Sequence, residues 1–233
     1  MNRLSLFIVF LYIPLNSSGQ FHEVGAFLGG GNYIGDIGGT YYVSPENPAF
    51  GFVYKWNRTT RYSLMANAMI MNIKKSDYSP LDMARFNRRY RFENQVNEFS
   101  VGAEINYYDF NLHGNDKKIA PYLFLGVGFI RYNLFYHEPN TLENIGYGKG
   151  IEITLPAIVG LKANVSPYVV LGLEIGARYT FTDNLDGSAA ETEDGLLNDL
   201  KFGNLNNNDW YVFTGLTISF TFGDLPCYCK ELL

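Results

Sequence analysis

A chain of 233 residues, 47% hydrophobic and 18% charged with two cysteines, can build one sizeable domain and is too apolar and cysteine-poor for a disordered segment or a disulfide scaffold. A formal charge of -5 offers no general attraction to a phosphate backbone, so nucleic acid is not an expected partner. Aromatic residues at 16% together with 24 glycines favour sheet over helix.

In chain order, residues 1–19 read first as an export signal. Arg3 precedes an apolar run from Leu4 to Leu15, and Ser17-Ser18-Gly19 supplies the small residues that a signal peptidase accepts before Gln20. The run is shorter than the roughly 20 apolar residues a spanning helix requires, and no later stretch reaches that length. Export predicts a chain that acts outside the cytoplasm.

Strict period-two alternation then recurs along the chain. Phe99, Val101, Ala103, Ile105 and Tyr107 alternate with Glu98, Ser100, Gly102, Glu104 and Asn106. Val169, Leu171, Leu173, Ile175 and Ala177 alternate in the same way with Gly172, Glu174, Gly176 and Arg178. Eight strands are predicted, over 23–33, 49–56, 61–73, 97–110, 119–132, 150–163, 168–182 and 210–222. All but the second reach the ~9 to 11 residues of a tilted membrane-spanning strand. The connections 57–60, 111–118 and 164–167 are short, whereas 34–48, 74–96, 133–149 and 183–209 are long. Alternating short and long ends predict an all-β, eight-stranded antiparallel up-and-down transmembrane barrel over residues 20–223, with short turns and both termini on the periplasmic side. Trp56, Tyr62, Tyr107, Tyr122 and Tyr168 at one end, and Tyr33, Phe50, Phe181 and Trp210 at the other, are expected to form the aromatic girdles.

A soluble lipocalin-like barrel shares the strand count but places its apolar face inside. Here the apolar face is the broader one, and the opposite face collects Glu23, Lys55, Arg61, Glu98, Glu104, Glu152, Lys162, Glu174 and Arg178. Nearly balanced charges on one face predict a paired network that fills the narrow interior of an eight-stranded barrel.

The second and fourth long loops carry opposite charge. Lys74, Lys75, Arg85, Arg88, Arg89 and Arg91 face Asp77, Asp82 and Glu93, a net +3 over 74–96, while 183–209 carries -6. The basic loop suits lipopolysaccharide phosphates, and two solvated loops that attract one another across the barrel mouth fit the same charges. Ser79-Pro80-Leu81-Asp82 predicts a short helix from Pro80 to about Tyr90. Residues 191–195 lack the alternating oxygen ligands of a calcium loop.

Enzyme signatures are weak. His22, His113 and His137 have no metal-ligand spacing, and His137 with Glu138 is the only pair near the outer rim that suggests a reactive site. The glycine runs at 29–31 and 126–128 do not match a dinucleotide loop. No cofactor is expected. The tail, 224–233, contains Cys227 and Cys229, which an oxidising periplasm can join to each other in a small strained ring or to a partner.

Several ordered pieces resemble one known family. They are Glu23-x-Gly25 through Tyr33-Ile34-Gly35-Asp36, Glu98 with Glu104-x-Asn106, Pro121-Tyr122-x-Phe124-x-Gly126, Glu174-x-Gly176-x-Arg178 through Thr182-Asp183, and Asp209-Trp210-Tyr211. Together they resemble the PorG-type outer-membrane barrels of the bacterial type IX secretion system. That family's Thr-Asp-Tyr-Leu-Asp-Asp is matched here by Thr182-Asp183-Asn184-Leu185-Asp186-Gly187. The resemblance implies a non-enzymatic outer-membrane subunit that anchors or organises a periplasmic ring of PorK-like lipoprotein and PorN-like subunits, while cargo crosses elsewhere. It also marks Tyr33, Gly35, Asp36, Thr182, Asp183 and Asp186 as a motif-bearing rim. The competing expectation is a small structural, adhesive or lipid-binding barrel without a secretion role.

Overall fold

The computed structural model describes residues 21–78, 83–112, 118–139, 141, 143–191, 194–204 and 206–223. The export signal, His113, the Ser79 to Asp82 start of the predicted helix and the tail with Cys227 and Cys229 lie outside the described residues.

Eight strands close into one ring, each antiparallel to its neighbours in sequence, with the first pairing the last. They are β1 (Phe21–Ile34), β2 (Asn47–Asn57), β3 (Tyr62–Ser76), β4 (Arg91–Asn106), β5 (Ile119–His137), β6 (Asn144–Ser166), β7 (Val169–Thr180) and β8 (Trp210–Phe222). The predicted barrel is the observed one. Among the described residues outside the strands there is a short helix, α1 (Met83–Arg88), inside the predicted span, and a 3-10 turn at Asn198–Leu200.

Strand boundaries differ most in β4, β5 and β6. β4 begins six residues before the predicted Asn97, β5 runs five past the predicted Tyr132, and β6 starts six before the predicted Gly150. The long third loop is thereby reduced to residues 138–143. The cause is chemical. In the β4 and β5 extensions the inward positions include apolar Phe92, Val96 and Phe135 beside polar Asn94 and His137, while outward positions there and on β6 become polar, as at Arg91, Gln95, Asn133 and Lys149. A reading that expects an oily outer face stops where that face ends.

The wall is inverted relative to a soluble barrel. Outward positions carry exposed Val24, Leu28, Phe52, Leu64, Ile70, Phe99, Val127, Phe129, Ile151, Leu173 and Leu216, which form an apolar belt round the molecule. Inward positions carry buried Glu23, Lys55, Glu98, Glu104, Lys162, Glu174 and Arg178. Eight strands enclose just enough room for side chains, and small residues make it usable. A Cβ on Gly160 would lie 2.5 Å from the Tyr122 ring, so glycine lets that ring lie across the interior. Two girdle expectations are corrected by burial. Tyr33 and Tyr122 are 0% and 3% exposed and point inward, whereas Tyr62, Tyr107, Tyr168, Phe50, Phe181 and Trp210 are exposed on the outside.

Candidate functional site

The interior is layered. At the short-turn end, Phe110, Leu112, Ala120 and Val170 form a small apolar cluster. Above it Glu104 accepts from Lys55 Nζ and Lys162 Nζ, each at 2.5 Å, with all three side chains at most 5% exposed. The two lysines approach it from β2 and β6, and the ammonium of Lys162 also lies 4.6 Å from the Phe110 ring centre. Glu23, directly opposite Lys55 in the β1–β2 register, accepts from Asn57 and Ser219 at 2.8 Å each. Glu174 accepts from the Tyr122 hydroxyl at 2.6 Å. Every one of these carboxylates has a donor, which is the condition for burying it without a large desolvation cost.

Val53, Met65, Tyr122, Phe124 and Ile158 make the next layer. Glu98 follows, accepting from the Tyr211 hydroxyl and lying 3.4 Å from Arg178 Nε. Arg178 also donates to the Gly176 carbonyl at 2.7 Å. The widest apolar layer, around Phe27, Met71, Ile73, Phe92, Tyr132, Leu185 and Phe213, fills the long-loop half. Of the nine charges expected inside, Arg61 is elsewhere: it sits outside the strands with 59% of its side chain exposed and donates to Asp109 at 2.6 Å. Its place in the β2–β3 connection ends the alternation before the lumen face resumes at Ser63. Glu152 is inward-facing and half-buried.

A second cluster closes the long-loop end. The Tyr33 hydroxyl donates to Asp209 Oδ1, and Asp209 Oδ2 accepts the Leu185 amide at 2.9 Å. Asp186 accepts the Ser188 amide at 2.9 Å, and Ser188 Oγ donates to the Asp183 carbonyl at 2.8 Å. Asp36 accepts the Asn204 amide with both oxygens, at 3.2 and 3.1 Å. Thr182 Oγ1 accepts the Asn184 amide at 3.2 Å and lies 3.0 Å from the Tyr132 hydroxyl. The rim residues Tyr33, Asp36, Thr182, Asp183 and Asp186 thus converge where the 181–209 loop folds into the barrel mouth. Gly35 packs beside them: a Cβ there would meet the Tyr33 hydroxyl and Asp209 Oδ1.

None of Asp183, Asp186 and Asp209 forms an ion pair among the described residues, and all three carboxyls are raised. Burial, then the charges of Asp36 and Asp186, pushes the Asp183 carboxyl up to about 7. Burial also raises Asp186, and burial with the Asp186 charge holds Asp209 well above the ordinary carboxylate range. Among the described residues, no group of three or more His, Cys, Asp or Glu side chains is arranged to hold a metal ion.

His137 is 2% exposed, stacks on Tyr90 with ring centres 4.6 Å apart, and donates through Nε2 to the Asp186 carbonyl at 2.8 Å. It is a packed ring under the loop, with no open face for a substrate. The basic loop is largely engaged within the chain: Lys74 with Glu93 at 2.8 Å, Lys75 with Glu46 at 3.1 Å and Arg88 with Asp77 at 2.8 Å. Arg88 also donates to the Asp36 carbonyl at 2.8 Å, and Arg85 to that of Gly38.

Tyr211, Tyr122 and Asp209 complete the two clusters without being among the expected lumen charges or rim residues. Tyr122 reads as a girdle aromatic, and the Tyr33–Asp209 contact joins positions 176 residues apart. Their place in the motif pieces Pro121-Tyr122 and Asp209-Trp210-Tyr211 is the signal that marks them.

Among solved structures, the chain is similar to Ail, the attachment invasion locus protein of Yersinia pestis, with 10% identity and a TM-score of 0.47 over 88% of this chain and 99% of that one. It is also similar to the N-terminal β-barrel domain of Pseudomonas aeruginosa OprF, with 12% identity and a TM-score of 0.42 over 88% and 98%. A major outer membrane protein from Thermus thermophilus matches at 14% identity and a TM-score of 0.41, over 88% and 100%. These neighbours are bacterial outer-membrane barrels. No curated protein matches. A family model described as a domain of unknown function, DUF6089, matches residues 2–231, and the chain therefore belongs to that family.

Proposed function

We propose that this protein is a non-enzymatic outer-membrane barrel that anchors or organises a periplasmic assembly of the type IX secretion machinery and does not itself conduct cargo. The observation that carries the reading is the inverted wall: an apolar belt outside and an interior occupied by Lys55, Glu104, Lys162, Glu98 and Arg178, each with its partner. An exposed belt of that extent finds its solvent in hydrocarbon, and a filled eight-stranded lumen is too narrow for a polypeptide. With residues 1–19 read as an export signal and the short turns directed to the periplasm, the described part of the partner-facing surface is 58–61, 107–112 and 167–168. The PorG-type motifs supply the partner class, a ring of PorK-like lipoprotein and PorN-like subunits.

The test is purification of the tagged protein from outer membranes in mild detergent, with mass spectrometry of what stays bound. Co-purified ring subunits, diminished when residues 224–233 are deleted while the barrel stays folded, are the expected result. A lone barrel in several detergents, with cargo export intact after gene loss, contradicts the secretion role.

A further inference from the structure

The barrel wall is not equally tall all round. β5 and β6 contain 19 and 23 residues, against 12 and 13 in β7 and β8. At ~3.3 Å per residue the β5–β6 hairpin stands well above the neighbouring wall at the long-loop end. Its outward face changes character at the top of the belt. Phe129, Ile151 and Ile153 belong to the belt; Arg131 on β5 stands opposite Ile151, and Lys149, the outward position on β6 beyond Ile151, stands one step higher, both exposed. Gln95, Asn97 and Asn133 flank them in one shallow recess on the outer wall. Neither cation has an ion pair or side-chain hydrogen bond among the described residues. Along β3 to β6 the outward strand positions above the belt hold one described carboxylate, Glu93, and Lys74 already occupies it at 2.8 Å.

We propose that Arg131 and Lys149 form a binding site for the phosphate of an anionic membrane lipid in the leaflet on the long-loop side. The inference rests on the membrane reading given above. Lys149 pairs directly with Asn133, so Arg131 is its diagonal neighbour. That spacing, with Cα atoms ~7 to 8 Å apart, lets both long side chains converge on one phosphate. The guanidinium fork matches two phosphate oxygens and the ammonium a third, while the amides of Asn97, Asn133 and Gln95 can donate to what remains or to sugar hydroxyls. The height of the site selects a lipid over a dissolved ion. Acyl chains lying on Phe129, Phe99 and Ile153 bring a head group to the level of Arg131, and hydrocarbon below strengthens the charge interaction.

The test uses the mature chain refolded in phosphatidylcholine bilayers and in micelles doped with diphosphoryl lipid A, its dephosphorylated form or inorganic phosphate, with bound lipid read by native mass spectrometry. Wild type is expected to retain the phosphorylated lipid and release the dephosphorylated one. Arg131→Ala with Lys149→Ala is expected to lose about tenfold in retention, and Arg61→Ala, at the opposite end, to lose nothing. Equal retention by the double variant, equal retention of dephosphorylated lipid, or full competition by inorganic phosphate overturns the site. A wild-type chain that does not insert into bilayers overturns the membrane reading as well. Insertion without phosphate preference overturns this inference alone.

Discussion

The two polar clusters solve one problem in opposite ways. In the lower lumen, Glu104 is neutralised by two lysines at 2.5 Å, and charge is matched by charge. At the rim, Asp183, Asp186 and Asp209 gather without a paired cation, and burial raises all three toward the protonated form. The comparison teaches where a barrel tolerates titration. The lumen is held by direct ion pairs, whereas the loop that closes the mouth is held by hydrogen bonds whose strength depends on protons.

The largest expected effect breaks the lumen side of this contrast. Glu104→Ala strands two buried lysines and is expected to destabilise the barrel by ~3 to 5 kcal/mol, measured by urea unfolding in detergent. Replacing Lys55, Glu104 and Lys162 together with methionine should recover most of that loss, because the uncompensated charge is gone.

Tyr33→Phe attacks the rim. It removes the donor to Asp209 and is expected to cost about 1 to 3 kcal/mol, concentrated in the 181–209 loop, where limited proteolysis and exchange of the Leu185 amide report it. Gly187→Asp, which restores the acid of the PorG-type motif, should also loosen this loop. Gly187 has φ +81°, and a Cβ there would lie 2.7 Å from the Phe135 ring. The expected cost is about 1 to 3 kcal/mol, without loss of barrel closure.

The pH prediction follows from Asp183. Its carboxyl is raised from 3.8 to about 7 on folding, so its stabilising contribution is complete below the lower value and lost as pH rises through the upper one. The protection factor of the Leu185 amide, which removes the base-catalysed rise of intrinsic exchange, should therefore fall between about pH 4 and 7 and level off above, and Asp183→Asn should flatten the profile. The smallest effect belongs to Arg61→Ala, whose pair with Asp109 is exposed and screened by salt, so the urea midpoint of the barrel should not move.

Much of the barrel is legible in sequence because a two-faced strand writes its environment at every second residue. Val101 opposite Glu104 and Leu173 opposite Glu174 give side and period at once. Strand ends are less legible where the outer environment changes from hydrocarbon to water, as at Asn133 and Lys149, since polar residues then occupy both a loop and a continuing strand. The rim shows the other limit. Asp183 and Asp186 stand out as a motif, but that Asp209 and Tyr33 complete the cluster depends on closure of β1 against β8, which no local pattern encodes. Arg61 fails for a related reason: one residue before a strand begins, alternation no longer determines which way a side chain points.

A barrel that sits in a membrane with its interior closed by paired charge and apolar layers should not pass ions. In planar-bilayer recording the refolded mature chain is expected to insert without steady ion conductance, and to leak only when the network is broken by Glu104→Ala. A stable, ohmic conductance through the wild-type barrel would contradict that closure.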